Sequence, residues 1–211
     1  MKKKYLCISI SSLLAFALWT LLLRLVDVKA IGPEGSSVGL ATLNGFVHEK
    51  IGVNMYLYNI TDWLGLVPIG VAFGFAILGL IQLIKRKSLL RVDRSILALG
   101  VFYIIVVAVY LFFEIVVISY RPVLIEGCLE ASYPSSTTML VTCVMPSAAM
   151  QAKERIKNKA LRQGVIIIII AFIAFMVVAR LLSGVHWITD IIGGALFSLG
   201  VVMAYKSFLQ K

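Results

Sequence analysis

The sequence predicts an all-α integral membrane protein, a single domain over residues 1–211 with six transmembrane helices and both termini in the cytoplasm. Three observations carry this. Apolar residues make up 61% of the 211, well above the roughly 45–50% of a soluble domain. Six stretches approach the roughly 20 apolar residues needed to cross a hydrocarbon core. The Lys and Arg residues collect in the gaps that six crossings would place on one side.

The expected spans are Tyr5–Leu25, Leu64–Ile84, Ser95–Ile118, Thr137–Met150, Gly164–Leu182 and Trp187–Tyr205. The first follows Lys2, Lys3 and Lys4, as a signal peptide would. No clear small-residue cleavage site follows it and it is long enough to span, so it reads as an uncleaved helix. The fourth is short and is completed by Ser135 and Ser136 or by Gln151 and Ala152.

Basic groups follow in register. They are Lys2–Lys4, then Lys85, Arg86, Lys87, Arg91 and Arg94, then Lys153, Arg155, Lys157, Lys159 and Arg162, then Lys206 and Lys211. That side reads as cytoplasm, where these groups also meet anionic headgroups. The other side receives 31–63, Arg121–Ser136 and the Ser183–His186 turn. The net charge of +10 does not argue for nucleic acid, because the cations lie between spans and not on a soluble face. Cys7, Cys128 and Cys143 have no ligand spacing, so neither a disulfide framework nor a zinc site is expected.

The segment 31–63 is too polar to span. Gly32–Ser37 reads as a turn. Val38, Leu40, Leu43, Phe46 and Val47 then recur at helical spacing, and Met55, Leu57, Tyr58 and Ile60 continue the pattern. One or two short amphipathic helices on the outer surface are expected. They would cover a site, admit a lipid, or simply connect. His48 is expected to be solvated.

Arg180 to Asp190 holds three ionisable residues of three types between apolar runs. Such groups beside a membrane segment are costly, so they usually have a partner and a task. If helix continues through them, His186 and Asp190 (i, i+4) share a face and the carboxylate accepts from one imidazole nitrogen. The other nitrogen is then free as base or nucleophile. Arg180 suits a phosphate. An interfacial histidine with an ion pair is the plainer alternative. Arg121 and the hydroxyl-rich start of the fourth span fall at the same depth, where a helix start with free N–H groups holds anions. Together they describe a phosphate pocket.

Arg180-x5-His186-x3-Asp190, followed by Ile191-Ile192-Gly193-Gly194, resembles the third signature of the type 2 phosphatidic acid phosphatase (PAP2)/haloperoxidase superfamily. Arg121-Pro122 resembles the end of its first signature, and Tyr133-Pro134-Ser135-Ser136 its second. The resemblance implies that His186 attacks phosphorus and carries a phosphohistidine, while Asp190 orients it. It further implies that Arg121, Arg180, Ser135 and the backbone near Ser136 hold the phosphate oxygens, with no metal and no cofactor.

Two positions depart from the pattern. The first-signature Lys falls on Glu114, which reverses its charge. The second-signature His, the general acid, falls on Thr137, whose hydroxyl is too weak an acid. General acid catalysis contributes about 100- to 10,000-fold.

The expected activity is hydrolysis of a lipid phosphate or diphosphate at the outer face of a plasma membrane. A polyprenyl diphosphate such as undecaprenyl diphosphate, or a phosphatidic acid type lipid, would be the substrate. Three readings stand. A good leaving group makes the missing acid unimportant, or Glu114 supplies the acid, or the protein binds or moves a lipid phosphate without turnover. A paired Glu114, held by Arg121 or Arg180, is the plainer alternative to an acidic one. A soluble haloperoxidase is excluded by the apolar spans, and polar groups gathered at one end do not suit a pore. The expected partner is a membrane lipid phosphate, not nucleic acid. No oligomeric state follows.

Overall fold

The structure, a computed structural model, describes residues 2–210. Lys211, counted above with the last basic group, lies outside them. The elements are α1 (Lys2–Leu25), α2 (Ala41–Ile51), α3 (Met55–Leu64), α4 (Leu66–Arg86), α5 (Arg94–Ile115), α6 (Ser136–Arg155), α7 (Lys159–Leu182) and α8 (Ile188–Leu209). Helix is what this composition demands, because a chain in hydrocarbon must satisfy its own backbone. Side chains cap several starts. Asn54 accepts from the Leu57 N–H at 2.9 Å, and Asn158 from the Leu161 N–H at 3.1 Å.

Five helical runs are long and apolar enough to cross a membrane: Lys2–Leu25, Met55–Arg86, Arg94–Ile115, Lys159–Leu182 and Ile188–Leu209. The expected fourth span, Thr137–Met150, forms the 20-residue α6 but is not among them. The reason is its position. It packs against α4, α5, α7 and α8, and it buries Thr137, Thr138, Ser147 and Gln151 against protein. Ser147 and Gln151 find partners inside. Ser147 donates to the Val144 carbonyl at 2.7 Å, and Gln151 donates to the Tyr205 hydroxyl at 2.6 Å. A helix enclosed by other helices need not be apolar.

The segment 31–63 forms two helices, but α3 does not lie apart as a surface helix. It runs into α4 through Gly65, whose φ of −59° and ψ of −21° are helical. The other helix, α2, is pinned to the start of α8, where Asn44 donates to the Thr189 hydroxyl at 3.0 Å. The connector between them is tied to the end of α7 by the Asn54 N–H and the Ser183 carbonyl, at 2.9 Å. Both helices therefore pack over the end of the bundle that carries His186. His48, expected in solvent, is half-buried instead, with its ring 5.4 Å from that of Trp187.

At the opposite end Asp93 ties three helices. It accepts from Arg86 of α4 at 2.8 Å, from Gln82 of α4 at 2.8 Å and from Arg155 of α6 at 3.0 Å. These bonds, Arg86 first, lower the pKa of its carboxyl.

Helix α8 is the most enclosed, and small residues make that possible. A Cβ on Gly193 would stand 2.4 Å from the Tyr133 ring. One on Gly200 would stand 2.6 Å from Leu13 of α1. Beside that contact Ser12 donates to the Leu196 carbonyl at 2.9 Å. Gly200→Leu is expected to push α1 off α8. Overpacking of this kind costs about 1–3 kcal/mol, which a lowered unfolding midpoint in detergent would register.

Candidate phosphate site

The loop between α5 and α6 folds back on itself. Arg121 N–H donates to the Glu130 carbonyl at 3.0 Å, and Ser132 N–H to the Ser119 carbonyl at 2.9 Å. Trp187 fastens this loop to α8 by donating its indole N–H to the Tyr120 carbonyl at 2.8 Å. Ser119, Arg121 and Ser132 are thereby set against the start of α8.

Helix α8 begins at Ile188, so His186 and Asp190 do not share a helix. His186 lies in the turn after Gly184, whose φ is +66°. A Cβ on Gly184 would stand 1.9 Å from the Gly52 carbonyl oxygen, so this close crossing requires glycine. His186 Nδ1 is 3.7 Å from Asp190 Oδ2, too far for a direct hydrogen bond. Ser132 fills the gap. Its hydroxyl lies 2.9 Å from Nδ1 and donates to Asp190 Oδ2.

With Asp190 ionised, that relay fixes the proton positions. Asp190 is fully buried and also accepts from the Trp187 N–H at 2.9 Å and from the Ser119 hydroxyl at 3.3 Å. As a carboxylate it can only accept. Ser132 has one proton and gives it to Asp190, so its oxygen is left to accept from Nδ1–H. His186 then carries its proton on Nδ1 and a lone pair on Nε2. Nε2 is buried and has no hydrogen-bond partner. Burial, then the Arg180 and Arg121 guanidiniums, push the imidazole well below its ordinary pKa range. It is a neutral imidazole held in one tautomer.

The two guanidiniums share one aromatic ring. Arg180 Cζ lies 4.8 Å and Arg121 Cζ 5.7 Å from the centre of the Tyr58 ring. Arg180 donates to the Thr61 hydroxyl at 3.1 Å and stands 3.8 Å from Asp62. Arg121 Nε stands 3.1 Å from Glu130 Oε2, off the direction of a hydrogen bond. Arg121 Nε and Nη1 and Arg180 Nε are buried without a hydrogen-bond partner. A buried polar group left unpaired costs about 1–3 kcal/mol, more if charged. Guanidinium N–H groups of this kind are relieved by an oxyanion, which accepts in their fork geometry.

The other expected residues are distributed unevenly. Ser135 is fully buried and caps α6, accepting from the Thr138 N–H at 3.4 Å. Its own N–H donates to the Asp190 carbonyl at 3.2 Å. Ser136 and Thr137 line a cavity of about 530 Å3 between α4, α5 and α6. Glu114 is exposed at the end of α5, beside Tyr110. Among the described residues, the acids that contact the two guanidiniums are Asp62 and Glu130, so the expected pairing of Glu114 with Arg121 or Arg180 is not the one formed.

Sequence reasoning missed Ser132, Ser119, Tyr58, Thr61 and Asp62. Ser132 lay in a hydroxyl-rich stretch and Ser119 at the end of an apolar run, with nothing to single either out. Thr61 is 119 residues from Arg180, and only the packing of α3 on α7 joins them. Tyr58→Ala is expected to weaken binding of inorganic phosphate by about 0.5–2 kcal/mol, the range of a partly desolvated cation–π contact. Tyr58→Phe should keep most of it, since the ring and not the hydroxyl faces the cations. Titration calorimetry with phosphate distinguishes the two.

Comparison with known proteins gives the family. The model of the PAP2 superfamily matches residues 96–211. Phosphatidylglycerophosphatase B of Bacillus subtilis (strain 168) is 34% identical over 83 residues, which are 38% of this chain and 40% of that protein. The match thus spans about two fifths of the relative's length. The crystal structure of a transmembrane PAP2-type phosphatidylglycerolphosphate phosphatase from Bacillus subtilis superposes with a TM-score of 0.54 over 95% of each chain. At 20% identity that likeness speaks for the fold. With the superfamily match running from α5 to the end of the chain, over the loop of Arg121, the start of α6 and the His186–Asp190 turn, the chain belongs to the PAP2 superfamily.

Proposed function

We propose that the protein is a lipid phosphate phosphohydrolase that works through a phosphohistidine on His186. The observation that carries this is a coincidence in one buried place. The unpartnered Nε2 lone pair of His186 lies under the influence of two guanidiniums that keep partnerless N–H groups.

In this reading the phosphoryl oxygens take the free N–H groups of Arg121 and Arg180, with Ser136 at the helix start nearby. Nε2 attacks phosphorus, and the leaving oxygen departs. The imidazole becomes more positive as the N–P bond forms. Ser132 and Asp190 stabilise that charge through Nδ1–H. The guanidiniums stabilise the charge gathering on the equatorial oxygens. Water then cleaves the N–P bond and releases phosphate.

We place the site on the outer face, with six spans and both termini in the cytoplasm of a plasma-membrane protein. The support is the distribution of charge. Arg86, Arg91 and Arg155 gather around Asp93, at the end of α4–α6 away from His186. A 20-residue α6 is long enough for the sixth crossing.

The substrate class is a membrane lipid carrying a terminal phosphate or diphosphate. Phosphatidic acid, undecaprenyl diphosphate and, through the relative's name, phosphatidylglycerol phosphate are its members to test. Purified protein in detergent is expected to release phosphate from at least one of them, and His186→Ala to abolish that release. Thermal stabilisation by the lipid without turnover in the wild type would instead establish a lipid-phosphate binding protein.

The pH dependence follows from the lowered pKa of His186. The reaction needs the imidazole unprotonated. A depressed pKa keeps it so as pH falls through 6.5, the ordinary value for histidine. The acid limb of kcat/KM is therefore expected well below pH 6.5, as a pH–rate profile would record.

A further inference from the structure

We infer that Asp62 is the acid–base residue of this site, supplying the proton transfer that Thr137 cannot. The inference rests on the phosphohydrolase reading above.

Three observations converge on Asp62. First, its carboxylate stands 3.8 Å from Arg180 Nη2, on the guanidinium proposed to clamp the phosphate. Arg180 is almost wholly buried while the Asp62 side chain is 59% exposed, so the acid sits where a buried phosphate clamp meets open space. Second, Asp62 and Thr137 line the same cavity of about 530 Å3. Thr137 is the residue that takes the position of the missing acid. Third, the rest of that cavity suits a lipid leaving group. Leu66, Ile69, Val107 and Leu140 form an apolar wall below the polar rim of Asp62, Ser136 and Thr137. A lipid phosphate seated on Arg180 with its chain along that wall puts its bridging oxygen near the rim.

The other carboxylates are worse placed. Glu130 pairs with Arg121 on the far loop, and Glu114 is exposed beside Tyr110. Neither lines the cavity. Asp190 is enclosed by Ser132, Ser119 and Trp187 and faces Nδ1, not the leaving side.

The charged or titratable groups that face Asp62 are Arg180 from α7 and Tyr110 from α5, with the hydroxyls of Ser136 and Thr137 from α6.

The chemistry balances over two steps. Nε2 of His186 forms the N–P bond, the bridging P–O bond breaks, and the Asp62 proton passes to the departing oxygen. Water then attacks phosphorus, the N–P bond breaks, and Asp62 takes the proton from water. The lipid alcohol and phosphate leave, and Asp62 ends protonated as it began.

The test compares wild type, Asp62→Asn and Asp62→Glu, full length and in detergent, on phosphatidic acid, phosphatidylglycerol phosphate and undecaprenyl diphosphate. Phosphate-labelled lipid is used so that label trapped on the protein can be counted. Asp62→Asn is expected to lower kcat on the monoesters by about 100- to 10,000-fold with KM little changed. The loss in kcat/KM, which reports the first step, should be smaller on the diphosphate, whose leaving phosphate needs no acid. Alkali-stable, acid-labile label should accumulate on the protein, because water is no longer deprotonated. Asp62→Glu should restore part of kcat and shift the basic limb of the pH–rate profile.

A kcat for Asp62→Asn within about threefold of wild type overturns the inference. So does a loss confined to KM, which would make Asp62 a mere counter-ion of Arg180. If Asp62→Asn unfolds, the kcat and pH limb of Asp62→Glu decide alone, and an unshifted limb is again a refutation. A wild type with no turnover above His186→Ala defeats the phosphohydrolase reading itself, and the role of Asp62 with it. Wild-type turnover with an unaffected Asp62→Asn removes Asp62 only.

Discussion

A carboxylate with no access to solvent sits at the first turn of α8, and the structure around it is arranged to keep it satisfied. Removing a charge from water costs several kcal/mol unless hydrogen bonds replace the lost hydration. Asp190 receives the Trp187 N–H, the Ser119 hydroxyl and the Ser132 hydroxyl. The first comes from the start of its own helix, where the macrodipole also favours an anion. The other two come from the loop between α5 and α6, which must be folded back to deliver them. Thus one buried charge fixes the loop to the helix. Because Ser132 spends its proton on Asp190, the same charge also fixes the tautomer of His186.

The rest of the bundle protects that arrangement. Helix α8 can be enclosed because glycines let Tyr133 and Leu13 approach its backbone. Tyr133 in turn stacks on Phe16 and donates to or accepts from Thr20 of α1, at 2.7 Å. The first and last helices thereby close over the core. On the other side α6 brings a polar surface into the centre of the protein. Its Ser147 hydroxyl and Gln151 amide meet the Tyr103 and Tyr205 hydroxyls, and its Met139 carbonyl accepts from Ser198.

The charge balance of the site is more even than its arginines suggest. Asp62 and Glu130 stand against Arg180 and Arg121 in the absence of an anion. They leave several guanidinium N–H groups unmatched, so an oxyanion still improves the site. Tyr58 holds both cations against one ring, which limits the side-chain entropy lost when an anion arrives. This ring and Asp62 both come from α3, and α3 is rigidly continued by α4. The connector that reads in sequence as an outer-surface segment is part of the site wall.

By itself the sequence determined the helical class and the helix limits to within a few residues, and it singled out three residues of the candidate site: Arg180, His186 and Asp190. Apolar run length and the uncommon placing of ionisable groups among apolar ones are local properties, so they are visible along the chain. Membership of the superfamily was legible for the same reason, since its signatures are short and ordered. The environment of α6 was not legible. Its hydropathy alone does not say whether lipid or protein surrounds it. Nor were the partners of the charged residues. The sequence suggested a direct His186–Asp190 contact along one helix, whereas the helix starts two residues after His186 and Ser132 bridges a 3.7 Å gap. It suggested Glu114 as the acid nearest the guanidiniums, whereas packing of α3 on α7 brings Asp62 from 118 positions away along the chain (180 − 62). Hydrogen bonds reach about 3 Å and are blind to separation along the chain. Only the tertiary structure could decide which hydroxyl and which carboxylate complete the site.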